Sequence, residues 1–162
     1  MGLFFEKNIS QSEPADVREI KITKLIDAPR QRVWDAWTKP DRLCRWFGVP
    51  PVAATRETTS IDLRVGGAWH ADMINEKDGS RLPFGGTYLE VHPPLKLVFT
   101  MVDSANPTSD VETITVTFKD RTGATEMTLL QAGHLPPDQY GEPLRSGYSA
   151  FFARMEQMLR TS

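Results

Sequence analysis

Cysteine occurs once in the 162 residues, at Cys44, so no internal disulfide can form and the composition fits a reducing, cytoplasmic setting. That thiol is expected to be buried in a helix. No apolar run approaches the roughly twenty residues that a membrane-spanning helix needs. The opening segment MGLFFEKNISQSEPAD has no basic start, no sufficient apolar stretch and no cleavage site, which argues against a secretory signal. Glu6 stands where a myristoylation pattern wants Ser or Thr. An excess of one charge is missing too: 19 Lys and Arg are scattered among 21 Asp and Glu, for a net charge of −2. No basic face is offered to nucleic acid or to anionic lipid headgroups. The chain contains no HExxH pair, GxSxG elbow, GxxxxGK[ST] loop or GxGxxG turn. No catalytic residue, metal site or cofactor is therefore assigned.

What is present begins with aromatics. Trp34, Trp37 and Trp46 fall in close succession after a strand-like segment and an Asp-Ala-Pro corner. Pro29 suits the first position of a helix, where a missing N–H costs nothing and its φ is already helical. Asp27 is placed to help cap that helix. Val33, Trp34 and Trp37 then share one face, which must pack against something. Pro40 opens a second short helix carrying Leu43, Trp46 and Phe47. Upstream, residues 1–15 are expected to be a loose tail whose Leu3, Phe4 and Phe5 pack locally or on a partner chain. Residues 16–162 have the length of one ordinary domain.

After the helices the periodicity switches from near 3.6 to 2, punctuated by turn signals at Gly66-Gly67, Asp78-Gly79, Pro93-Pro94 and Asp120 to Gly123. An antiparallel meander of about seven strands follows from this, with Asp103 to Asp110 as a loop. Residues two apart share a face of a strand. The alternation therefore sends Trp69, Ala71 and Met73 inward, then Thr87, Leu89 and Val91, then Leu97, Phe99 and Met101, then Ile114, Val116 and Phe118, then Met127 and Leu129. His70, Asp72, Glu90 and His92 take the opposite parity. They are tempting as an acid–base or metal constellation, but their parity places them on a solvated outer face. His134, alone in a loop, reads as solvated or as a residue at a cavity mouth. From Gly141 to Arg160 helical spacing returns, with Leu144, Tyr148, Phe151, Phe152, Met155 and Leu159 forming a stripe that should lie across the sheet.

Three segments in this order, Asp27 to Pro51, DLRVGGAWHADM at Asp62 to Met73 and FGGTYLEVHPPLKLVFTM at Phe84 to Met101, together with the helix SGYSAFFARMEQML, resemble the Hsp90 ATPase activator C-terminal-like (AHSA1-like) family of the START-like, or SRPBCC, superfamily. The resemblance spans roughly residues 17 to 160. It departs at Tyr148, where the family usually has Trp. It implies an α+β helix-grip fold, a curved antiparallel sheet wrapped around a long C-terminal helix, with two short helices after the first strand. It also implies a choice of functions, because one fold hosts many.

The leading expectation is a hydrophobic small molecule or lipid held between sheet and helix. The residues expected to line that cavity are Trp69, Met73, Leu89, Phe99, Met101, Phe118, Tyr148, Phe152 and Met155, with Thr87, Gln131 and the Tyr148 hydroxyl orienting a polar head. Met73, Met101, Met127, Met155 and Met158 suit adaptable apolar contacts. A fully packed core is the alternative. At about 0.8 kcal/mol per buried CH₂, a chain of about ten carbons gains roughly 8 kcal/mol before association costs. Two other readings come from the resemblance alone: an Hsp90-associated, co-chaperone-like interaction protein, and an enzyme of the cyclase or dehydratase kind. Association as a homodimer rests only on its frequency among small domains.

Overall fold

Strand β1 (Arg18–Ile26) opens the computed structural model, which describes residues 18–104 and 111–161. The expected tail at residues 1–15, with its Leu3, Phe4 and Phe5, and most of the loop from Asp103 to Asp110 lie outside the described residues. After β1 come helix α1 (Arg30–Thr38) and the single turn α2 (Pro40–Leu43). Pro29 is the residue before α1 rather than its first turn: its carbonyl accepts from the N–H groups of Arg32 and Val33, and no side chain caps the helix. Asp27 does not take the capping role expected of it. Pro40 does open α2.

The sheet continues through β2 (Gly48–Val49), β3 (Val52–Ala54), β4 (Ser60–Ile61), β5 (Ala68–Asn75), β6 (Arg81–His92), β7 (Lys96–Asp103), β8 (Glu112–Arg121) and β9 (Ala124–Gly133). Its order is β1-β9-β8-β7-β6-β5-β3-β2, all antiparallel, with β4 beside β5. The count exceeds the expected seven because β2, β3 and β4 are too short to show alternation. Thr122 and Gly123, both at positive φ, close the β8–β9 hairpin in two residues, as the twist of a tight antiparallel turn requires. The long helix α3 (Glu142–Thr161) packs into the curl of the sheet.

Between them lies an aromatic core. Trp37 sits edge-on to Trp46 with ring centroids 4.7 Å apart, and Trp34 meets Phe118 at 5.7 Å. Three of the four buried indoles donate to an acceptor: Trp46 to the Ala36 carbonyl (2.8 Å), Trp69 to the Thr100 carbonyl (2.9 Å) and Trp37 to the Met127 sulfur (3.3 Å). Phe152, Met155, Met158 and Leu159 fill the space from the helix side. This satisfied, close-packed layer sets the distance between helix and sheet.

The inward sets expected on β5, β7, β8 and β9 are found, although Asp72 and Val98 of the other parity are buried too, and the phase breaks on β6. Tyr88 pairs with Phe99 but Glu90 pairs with Val98, so Leu89 is the extra residue of a bulge. Tyr88 is buried and Leu89 is 45% exposed, the reverse of the expected parity, and Thr87 is exposed as well. Beyond the bulge the phase resets, and Val91 faces the core opposite Leu97.

Candidate functional site

One end of the molecule is less tightly filled. Beside the first half of α3 there is open space, since a Cβ built on Gly147 would meet nothing within 4 Å. Leu144, Gly147, Tyr148 and Phe151 face a cavity of about 320 Å³. Opposite them are Phe47 after α2, Phe84 on β6, and Met101 and Asp103 at the end of β7. Val102, Glu112, Gln131, Leu135 and Gln139 complete the wall.

Glu112 organises the polar end. It begins β8 with the same parity as Ile114, Val116 and Phe118, so the strand carries it inward, and it is only 4% exposed. Its Oε1 accepts from Gln131 Nε2 (3.0 Å) and from the Tyr140 hydroxyl (2.8 Å), and its Oε2 accepts from the His134 backbone N–H (3.0 Å). Three donors on a buried carboxylate repay its lost hydration. Gly133 makes room: a Cβ there would lie 1.7 Å from Glu112 Oε2.

A carboxylate can only accept, so Gln131 must turn its NH₂ toward Glu112 and its carbonyl away. The Tyr148 hydroxyl donates to that Gln131 carbonyl oxygen. Burial, and next the Glu112 charge, push the Tyr148 phenol well above its ordinary pKa. Tyr140 is pushed up to about 12 by burial and then by its hydrogen bond to Glu112. Both phenols stay protonated as donors. An amide separates Tyr148 from Glu112, and an amide does not relay a proton, so the chain orients the phenol rather than ionising it.

Of the residues expected at a cavity, Met101, Gln131 and Tyr148 border this one. Trp69, Phe99, Phe118, Phe152 and Met155 belong to the packed core behind it, and Met73 is buried with its sulfur close to Gly48. Leu89 and Thr87 face away, owing to the bulge. Beyond the Gln131 and Tyr148 expected there, Glu112 and Tyr140 extend the polar group of the interior. The signal was available: Glu112 and Gln131 each sit two residues from an inward apolar side chain.

The constellation on the opposite parity is not brought together. His70 pairs with Gly85 on β6, so Glu90 lies five residues further along that strand, roughly 16 Å at about 3.3 Å per residue. His92 Nε2 meets Glu90 Oε1 at 3.1 Å near water, and Lys96 approaches the same oxygen at 3.3 Å. Those two groups hold the Glu90 carboxyl below its ordinary range, His92 first. Asp72 departs from expectation: it is 7% exposed. The one-turn 3₁₀ helix Arg56–Thr58 covers it, with the Asp72 backbone N–H bonded to Thr58 Oγ1, and Arg81 donates to Asp72 Oδ2 at 2.9 Å. His70 Nε2 lies 2.7 Å from Asp72 Oδ1, close enough for an ion pair, yet Oδ1 has no aligned hydrogen-bond donor. Cys44 is half-buried rather than buried, and burial pushes its thiol pKa up.

Comparison with known proteins follows this geometry. The family model described as "Activator of Hsp90 ATPase homolog 1-like protein" matches residues 27–160. No curated protein matches the chain. Among solved structures, protein CV1439 from Chromobacterium violaceum is similar at 22% identity and a TM-score of 0.77, covering 87% of this chain and 96% of its own. Protein NE0264 from Nitrosomonas europaea is similar at 24% identity and a TM-score of 0.75, covering 88% and 94%. The AHSA1-like protein from Aeromonas hydrophila is similar at 23% identity and a TM-score of 0.70, covering 88% and 93%. At these identities the likeness is one of fold. No described helix is long and apolar enough to cross a membrane.

Proposed function

The chain belongs to the Activator of Hsp90 ATPase homolog 1-like family, and from that premise we propose that it binds a hydrophobic small molecule or lipid in the cavity beside the first half of α3. At family level the fold supports a ligand-binding or co-chaperone-type domain. The observation that favours a ligand is the cavity itself: about 320 Å³, walled by Phe47, Phe84, Leu144 and Phe151, with a fixed polar group at one end. That is the lower end of the size range of small-molecule sites, and an apolar wall with few convergent polar groups is their usual composition. Close contact with Met101 adds an adaptable surface. No turnover is proposed.

The test is saturable binding of an environment-sensitive apolar dye, with native mass spectrometry of the purified protein to detect a retained adduct. Gly147→Phe should project a ring into the cavity and abolish dye binding, while Gly147→Ala should leave it intact. Dye binding that is non-saturable, or untouched by Gly147→Phe in a folded protein, would overturn the reading. The co-chaperone reading predicts a different outcome, a changed ATPase rate of an Hsp90 at micromolar concentrations of this protein.

A further inference from the structure

Resting on the ligand-binding reading, we propose that the polar end of the cavity selects ligands whose head group is a hydrogen-bond donor, an alcohol, phenol or ammonium, and rejects carboxylate anions such as free fatty acids. The reason lies in the direction of the hydrogen bonds. Glu112 fixes the Gln131 amide with NH₂ toward the carboxylate, and Gln131 in turn takes the Tyr148 proton on its carbonyl. The Tyr140 proton is likewise committed to Glu112. Both phenol donors are therefore spent inside the protein.

What remains for a ligand is chiefly acceptors. The Tyr148 oxygen keeps its lone pairs, and Glu112 Oε2, which accepts from the His134 N–H, has further capacity. One amide N–H of Gln131 is the single donor left in this network; the Gln139 amide, also on the wall, offers donor and acceptor alike and adds no charge. Charge points the same way: the ionisable side chains bordering the cavity include two carboxylates, Asp103 and Glu112, and no cation among the described residues. Arg18, across from Gly133 on β1, acts on Tyr140 but does not border the cavity. An anionic head would be desolvated against a second anion, whereas a donor head completes the unfilled acceptors.

The experiment uses three probes of equal chain length, 1-decanol, decylamine and decanoate, titrated calorimetrically into the full chain at pH 8 and below their aggregation limits. The alcohol and the amine should bind at least about tenfold more tightly than decanoate. Glu112→Gln should bring amine and carboxylate within about threefold of each other. Tyr148→Phe, which removes the phenol oxygen, should weaken the alcohol about fivefold. If Glu112→Gln fails to fold, the wild-type ranking and Tyr148→Phe carry the test. Decanoate binding as tightly as the other two, or a ranking unchanged in folded Glu112→Gln, would overturn the inference and leave the binding site standing. Failure of all three probes, together with failure of the apolar dye, would remove the underlying reading instead.

Discussion

Gly133 and Glu112 show how much one residue decides. Glycine at 133 is required by close approach alone, since any Cβ would collide with the Glu112 carboxylate. Gly133→Ala should therefore cost about 2 kcal/mol or more, the scale of disrupting a buried hydrogen-bonded charge, read as a lowered urea midpoint. Gly123→Ala, strained at positive φ but away from the site, should leave ligand binding unchanged. The phenols carry a pH signature. Tyr140 holds its proton more firmly in the folded state, to about 12 against 10.0, so its contribution is complete below pH 10 and is lost as pH rises from 10 toward 12. Tyr88 and Tyr148 are raised in the same direction, both by burial first. Alkaline unfolding should thus steepen above pH 10, and Tyr140→Phe should remove part of that slope; an unchanged profile would contradict the assignment.

At the scale of the element, β6 is the instructive strand. Its Phe84, Tyr88 and Val91 meet the core only because one residue is looped out at Leu89. Tyr88→Ala should then cost about 3 kcal/mol, as for other large buried side chains, whereas Leu89→Thr should fall within about 0.5 kcal/mol of wild type, as at ordinary surface positions. Chemical denaturation of the two variants checks both. Strict alternation predicts the opposite ranking. Helix α3 divides in a comparable way: Phe152, Met155, Met158 and Leu159 pack tightly, while Leu144, Gly147 and Phe151 border open space.

Across the whole molecule, that division moves the site along the helix axis. A cavity centred on Met155 would accept a larger side chain there with loss of ligand and no loss of stability. Met155 is instead fully buried among close-packed neighbours. Met155→Trp should therefore destabilise by about 1–3 kcal/mol through overpacking, measured as a fall in Tm, and dye binding by the folded fraction should persist. Gly147→Phe should show the converse, lost binding with the fold retained. The aromatic core and the cavity are thus separate regions of one interior, the first setting the spacing of helix and sheet, the second using what spacing remains.

The sequence by itself determined the family, the helix-grip architecture, both short helices and the inward sets of four long strands, because these depend on local periodicity and on side chains that have few ways to be buried. It carried Glu112 and Gln131 inward by the same parity. Tertiary structure decided the rest. The bulge at Leu89 depends on the pairing of β6 with β7 rather than on the composition of β6. The shelter around Asp72 comes from a 3₁₀ turn that crosses the strand from elsewhere in the chain. The position of the cavity depends on where helix and sheet diverge, and a divergence in space leaves no period in the sequence that could announce it.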